Sequence, residues 1–412
     1  MEKKPPKEGG FDLRQTFQAF RYRDFRLMWL GAFTSTTGTW MQTVAQSWLV
    51  LTLTGSAFYL GLTSFMAELP IILFTLVGGV IADRIDRRKL LLSSQYVQMG
   101  CAFTLTALVY FGWIRIWHFL ALVFVAGTAQ AFGGPAYQAL IPGLVKKEDV
   151  PNAIALNSIQ FNLARVVGPL LAGIAMASVG PVICFGLNGL SFTAVIASLY
   201  WIHATFKPGK TTESVLTGIV EGFAFVRSKG ALWQLTVLGF IGTFCGIPMI
   251  TLLPLFARDV FKLGPRGYSV MMACSGVGSV AGALIYASLS RIQKRGKFTL
   301  WVQATLAVLL ISFAFSGNLF LSLAMLVASG ACLISLFASI TSLVQLSVVE
   351  EVRGRVMSIF MLAFRGGMPL GSLTAGFLAN RYSASMALAT VALLLLGTAL
   401  GFLFSGSRVK EL

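Results

Sequence analysis

The sequence predicts an all-α membrane protein, twelve transmembrane helices in two pseudo-symmetric six-helix bundles, and three observations predict it. First, 56% of the 412 residues are hydrophobic and only 11% charged, where soluble domains carry about 25% charged residues. A soluble chain would have nowhere to hide so much apolar surface. Second, the apolar residues gather into runs of the length, about 20 residues, that a helix needs to cross a bilayer. Third, the basic residues sit in alternate gaps between those runs. The formal net charge of +17 therefore does not make nucleic acid an expected partner, because that requires a basic face on a soluble domain.

The elements follow in chain order. Residues 1–26 form an arm in which Phe11, Phe17, Phe20 and Phe25 interleave with Arg14, Arg21, Arg23 and Arg26, a pattern suited to lying on an anionic inner leaflet. No apolar core with a small-residue cleavage site follows, so a signal peptide is not expected. Spans are expected near 27–51, 57–83, 90–111, 117–141, 152–177, 183–202, 232–256, 268–289, 298–316, 319–347, 355–378 and 384–404. With the N-terminus inside, 25 Lys and Arg residues fall in inside regions, 5 in outside loops and 2 within spans. That bias is the positive-inside pattern, and it predicts a multi-pass protein of the cell (inner) membrane with both termini cytoplasmic.

The longest inside connection, 203–231, carries Lys207-Pro208-Gly209-Lys210 and then an amphipathic stretch from Ser214 to Val226. It reads as a cytoplasmic linker between an N-terminal bundle (27–202) and a C-terminal bundle (232–405), with 406–412 as a cytoplasmic tail. A weak internal repeat supports the division. Arg165 and Pro169 in span five recur 200 residues later as Arg365 and Pro369 in span eleven, and the acidic pairs Glu148-Asp149 and Glu350-Glu351 precede those spans.

Three charges stand well inside spans: Glu68, Arg165 and Arg365. Glu68 precedes Asp83 by 15 residues, about 22 Å of helix at 1.5 Å per residue, which places it near mid-depth. A charge facing lipid costs at least about 2.5–3.5 kcal/mol, so all three should face protein or water. Two readings of Glu68 stand: a proton-coupling carboxylate or partner to an arginine, and a protonated acid bonded where Pro70 leaves a carbonyl free. The arginines read either as recognising an anionic group or as structural cations paired with carbonyls or with Glu68.

Helical spacing aligns Ser35, Thr39, Gln42 and Gln46 in span one, and Ser335, Ser339, Ser342 and Gln345 in span ten. In span four it aligns Gln130, Gly134 and Gln138, with Phe132 and Tyr137 beside them. Such stripes line a polar cavity or hold helices together. Cys101, Cys184, Cys245, Cys274 and Cys332 lie in apolar runs without CxxC spacing, and His118 and His203 are far apart, so neither disulfide nor metal site is expected. Gly209-Lys210-Thr211 imitates the end of a phosphate-binding loop, but Ala204 stands where a glycine is needed. Gly276-Val277-Gly278-Ser279-Val280-Ala281 imitates a dinucleotide fingerprint and reads better as close helix packing through Gly278 and Gly282. No catalytic site and no cofactor are expected.

The strongest local motif follows span two: Gly79-Val80-Ile81-Ala82-Asp83-Arg84-Ile85-Asp86-Arg87-Arg88-Lys89. It resembles the signature loop between helices two and three of the major facilitator superfamily. Trp40-Met41-Gln42, Leu53-Thr54-Gly55-Ser56, Asn152-Ala153, Leu156-Asn157-Ser158, Gly168-Pro169 and Arg353-Gly354-Arg355-Val356-Met357-Ser358 are similar to the branch holding transmembrane secretion effectors and the enterobactin exporter. The resemblance covers nearly the whole chain. It implies the major facilitator fold, and a charge-relay latch at Gly79, Asp83, Arg84, Arg87 and Arg88 that breaks as the bundles rock. It further implies a central cavity lined by spans 1, 4, 7 and 10, with 2, 5, 8 and 11 at the interface between bundles. On that arrangement Thr39, Gln42, Gln46, Gln130, Tyr137, Gln138, Ser339 and Arg165 are substrate candidates. Arg365, Pro169 and Pro369 are interface residues, Glu68–Arg365 is the preferred pair, and Arg165 is left as the anion-binding candidate.

The departures matter too. Asp86 replaces the usual glycine of the loop, and its counterpart Ser290-Arg291-Ile292-Gln293-Lys294-Arg295-Gly296-Lys297 has serine at the acidic position. Span four has Gln130-Ala131 where proton-coupled drug antiporters of the superfamily carry an arginine. Span five has Gly168-Pro169 and Gly173 without the upstream glycines of the antiporter motif. The expected function is secondary transport, exporting a small amphipathic or anionic organic molecule, siderophore-like or drug-like, with protons as the candidate coupling ion. Expected partners are that substrate, protons and membrane lipids, and the expected state is a monomer. The alternatives are uptake or lipid movement on the same fold and, from another class, a non-transporting sensor or assembly partner.

Overall fold

The computed structural model describes residues 17–84, 86–202, 215–289, 294–405 and 407–412, of which 75–84, 215–221 and 351 are described by backbone alone. The described chain is helical throughout. The first half contains α1 (Arg23–Thr54), α2 (Ala57–Arg84), α3 (Arg87–Tyr110), α4 (Ile116–Leu140), α5 (Val150–Ser178) and α6 (Pro181–Trp201). An amphipathic connecting helix, α7 (Val215–Ser228), leads to the second half. There α8 (Gly230–Gly246) runs through Ile247 into α9 (Pro248–Leu255) and a π-helical turn, Phe256–Val260. Then follow α10 (Pro265–Ser288), α11 (Arg295–Phe315), α12 (Leu319–Leu346), α13 (Glu350–Arg381) and α14 (Ala384–Phe404).

Among the described residues, ten stretches are long and apolar enough to cross a membrane. Of the twelve expected spans, those at α1 and α3 do not reach that threshold. Both helices have the length, at 32 and 24 residues, but α1 carries many Ser, Thr and Gln residues and α3 opens on Arg87-Arg88-Lys89.

Local chemistry sets the turns. Gly55 ends α1 in the left-handed region at φ 63, where only glycine avoids a Cβ clash, and donates its N–H to the Leu51 carbonyl at 2.9 Å. Asp86 caps α3, its carboxylate accepting from the N–H groups of Arg88 (2.8 Å) and Lys89 (3.4 Å). That explains an acid where the signature loop usually has glycine. Asn318 and Ser383 cap α12 and α14 in the same way.

Within the first half, α1 packs along α5 and α6, and α4 along α2 and α3. In the second, α12 packs along α10 and α11, α14 along α11, and α13 along α8. The halves meet through α2 against α13 and α5 against α10. Exchanging the halves, so that α2 takes the place of α10 and α5 that of α13, maps one of these contacts onto the other. Two related bundles require this.

The tail does not hang free. Arg408–Glu411 forms a 3-10 turn against α8 and α11, with Val409 fully buried. At the other terminus, the Tyr22 hydroxyl donates to Asp149 (2.6 Å) and the Ala19 N–H to Asn152 (2.9 Å), tying the start of α1 to that of α5.

Candidate functional site

The two bundles touch closely at the end carrying Gly55. At the end carrying Gly55, the Ser56 hydroxyl donates to Asn380 across the interface at 2.8 Å. Gly61 of α2 and Gly376 of α13 lie against each other so closely that a Cβ on Gly376 would come within 2.8 Å of the Ala57 carbonyl oxygen. Gly173 of α5 meets Ser269 of α10 in the same fashion, and the rings of Trp48 and Tyr268 stack at 6.2 Å. Deeper in, Gly276 of α10 rests on the Arg165 carbonyl. Small residues thus seal the bundles against each other at the end carrying Gly55.

Glu68 lies on α2, the helix that meets α13 of the other bundle. One of its carboxylate oxygens is buried with no hydrogen-bond partner. Arg365, exposed on α13, is the charged group whose field reaches it, yet the two do not close into an ion pair. The expected pair is thus assembled across the interface but left open. Arg165 has a different partner: its guanidinium lies 5.4 Å over the ring of Trp40, which also meets Phe161 edge-on at 6.2 Å. A cation held on an aromatic face keeps its hydrogen-bond donors available.

The polar stripes divide. Gln130 and Gln138 of α4 are exposed, as are Thr39 of α1 and Ser158 of α5, while Asn162 is half-buried and donates to the Ser158 carbonyl at 2.8 Å. Polar side chains left uncovered on such helices belong on an aqueous cleft and not on lipid. Gln46 is half-buried. Gln42, in contrast, is held inside the first bundle, accepting from the Asn188 amide of α6 at 2.7 Å. Tyr137 donates to Asn157 at 2.5 Å, joining α4 to α5. Ser339 is fully buried and shares a 2.5 Å hydrogen bond with Thr299 of α11, while Ser335 donates to the Gly282 carbonyl of α10. Both serines hold helices together in this conformation and line no cleft.

Pro169 and Pro369 are buried beside glycines that pack within their own bundles. Gly168 meets α1 at Trp40, and Gly367 and Gly371 meet α8 between Phe240 and Phe244. Of the latch, Gly79, Asp83 and Arg84 lie where side chains are outside the described residues. Arg87 donates to the Ala139 carbonyl (3.4 Å) and Arg88 to the Tyr200 carbonyl (3.1 Å).

One feature escaped sequence reasoning. The second bundle turns an aromatic cluster toward its α8–α12–α13 seam: Phe240 and Phe244 stack at 5.8 Å, Phe337 meets Phe364 edge-on at 4.8 Å, and Phe360 tilts on Phe364 at 5.7 Å. The i, i+4 spacing of Phe240/Phe244 and of Phe360/Phe364 was the available signal.

Comparison with known proteins places this architecture. A model of the transmembrane secretion effector family matches residues 14–411. The chain belongs to that family. Among its relatives, the multidrug efflux pump Tap of Mycolicibacterium fortuitum is 28% identical over 94% of this chain and 96% of its own. Macrolide efflux protein A of Streptococcus pyogenes is 24% identical over 80% and 82%, and the staphyloferrin A transporter of Staphylococcus aureus 28% over 82% and 84%. Similar solved structures include a bacterial homolog of the human lysosomal transporter Spinster, inward-facing and unoccupied (TM-score 0.72, 13% identity, covering 98% of each chain). A bacterial homologue of the iron transporter ferroportin, also inward-facing, superposes with TM-score 0.70 at 15% identity, covering 93% of this chain and 99% of its own. These likenesses establish the major facilitator fold. This secretion-effector chain is accordingly a multi-pass membrane transporter and not an enzyme.

Proposed function

We propose that the protein exports small amphipathic organic molecules from the cytoplasm by alternating access, exchanging them for protons. The single observation that carries this is Glu68: an acid on α2, one oxygen without a partner, facing an arginine on the opposite bundle that does not neutralise it. An intramembrane acid of this kind is costly unless it serves transport. Protonation releases Glu68 from Arg365, and deprotonation draws the bundles together at that level.

The positive-inside bias supports an open cleft facing the cytoplasm, in the cell membrane, with both termini on that side. The relatives support the cargo: two are named for efflux of drugs, and a third for a siderophore. The polar face of α4 and α5, the aromatic seam of α8, α12 and α13, and Arg165 on Trp40 together suit a molecule with an apolar body and a polar or anionic group. The working unit is a monomer in contact with lipid.

The test is a panel export assay in cells lacking their own pumps, followed by proteoliposomes. Export of one or more amphipathic solutes, lost when the proton gradient is collapsed, is the expected result. Protein-dependent accumulation inside the cells, or no flux of any organic solute in liposomes, contradicts it.

A further inference from the structure

At the terminal end of the second bundle, away from the cleft, lies a cavity of about 830 Å³, in the range that holds small ligands. The start of α8, the start of α11, the end of α12 and the tail turn enclose it. Three cations border it, Lys229, Arg295 and Arg408, together with Leu412, whose carboxylate ends the tail turn. The rest of the wall is apolar, with Leu343, Leu346, Val348 and Val349 on one side and Phe225 on the other.

The site is built, not incidental. Gln234 accepts from both the Ser407 hydroxyl (3.2 Å) and the Arg408 N–H (3.1 Å), and the burial of Val409 against Gly296 pins the tail. Gly230 makes room for the Arg408 side chain, since a Cβ there would lie 3.1 Å from the guanidinium. Lys229 is propped over the Phe225 ring at 5.9 Å. Leu346 and Val349 are 67% and 65% exposed, and close by Trp233 meets Phe223 edge-on at 6.1 Å. Exposed aliphatics and an indole flanking a basic pocket at a helix-bundle end match the chemistry of the lipid headgroup layer.

We propose that this cavity binds a phosphate-bearing ligand, and that the ligand is the headgroup of an anionic phospholipid whose chains lie over Leu346 and Val349. A free phosphate would use the same cations but leave the apolar wall uncovered. The occupied site would tie the tail, α7 and the α12–α13 turn together, and so make transport depend on lipid composition.

Native mass spectrometry of the full chain in a nonionic detergent tests this directly, titrated with phosphatidylglycerol or phosphatidylcholine, with inorganic phosphate as competitor. Phosphatidylglycerol should be retained in preference to phosphatidylcholine. The double variant Lys229→Gln/Arg408→Gln, both exposed side chains, should bind it roughly 25-fold more weakly, at about fivefold per charge removed. Should the double variant misfold, the single variants carry the test at about fivefold each. Equal retention of the two lipids, or unchanged affinity in the variants, overturns the proposal. Displacement by millimolar phosphate with no lipid preference overturns the lipid and assigns the site to a free anion. Binding in detergent is independent of orientation and of flux, so failure here leaves the export reading untouched, and the reverse.

Discussion

In the first bundle Gly168 of α5 packs on α1 beside Trp40. In the second, Gly367 of α13, one residue off the 200-residue repeat, packs on α8 beside Phe240. The same backbone device serves both halves, yet what surrounds it differs. The first bundle carries exposed Gln130, Gln138 and Ser158, the half-buried Glu68 and an arginine seated on an indole. The second offers Arg365 and a seam of phenylalanines. The difference teaches that duplication conserved the packing and left the surfaces facing the cleft free to diverge. One half can then manage protons and polar groups while the other supplies apolar contact.

The comparison breaks most sharply at Glu68. Replacing it with Gln should abolish gradient-driven accumulation, a loss on the order of tenfold or more for an intramembrane acid that carries the coupled proton. Flux under an imposed pH gradient measures it, and unchanged pH dependence removes Glu68 from coupling. Next in size is the sealed end. Gly61→Leu should oppose closure there by about 1–3 kcal/mol, the usual cost of overpacking. Cysteine labelling near Asn380 should become faster; unaltered labelling would mean that the seal does not rest on this contact.

A smaller effect is expected from the aromatic seam. Phe364→Ala removes its edge contact with Phe337, worth about 0.5–1.5 kcal/mol beyond burial. It should weaken transport of bulky apolar solutes severalfold while leaving proton coupling intact, as read by KM across a solute series. Arg165→Gln should weaken anions more than neutral solutes. An equal loss for both, with poor folding, returns Arg165 to a structural role. Smallest is Asp86→Ala, which removes the α3 cap at a cost of about 1 kcal/mol. Thermal stability should fall slightly, with transport rates retained.

Hydropathy and charge placement were enough to read a multi-pass helical membrane protein, because lipid forces a helix to declare itself in sequence. Helices form at α1 and α3 as expected, but their polar and basic residues keep them below the apolarity of the other ten. Glu68 and Arg365 stood out as neighbours because a charge at mid-depth has few places to go, yet the field of Arg365 reaches Glu68 without an ion pair forming. The cleft lining was legible only in part. Periodicity puts Gln42 and Ser339 on a polar face, but it cannot say that Asn188 or Thr299 waits opposite. The phenylalanine seam was hidden for a related reason: in a chain with 33 Phe residues, aromatic spacing alone does not stand out. The capping role of Asp86 and the docking of the tail on Gln234 depend on backbone geometry that no local pattern reports.

Proteoliposomes carrying wild type, Glu68→Gln and Phe337→Ala/Phe364→Ala, given the same exported solute with and without a pH gradient, test the division of labour most directly. The account predicts that Glu68→Gln keeps downhill exchange but loses the response to the gradient, while the aromatic variant keeps that response and changes its preference among solutes. A gradient response that survives in Glu68→Gln and disappears in the aromatic variant would contradict it.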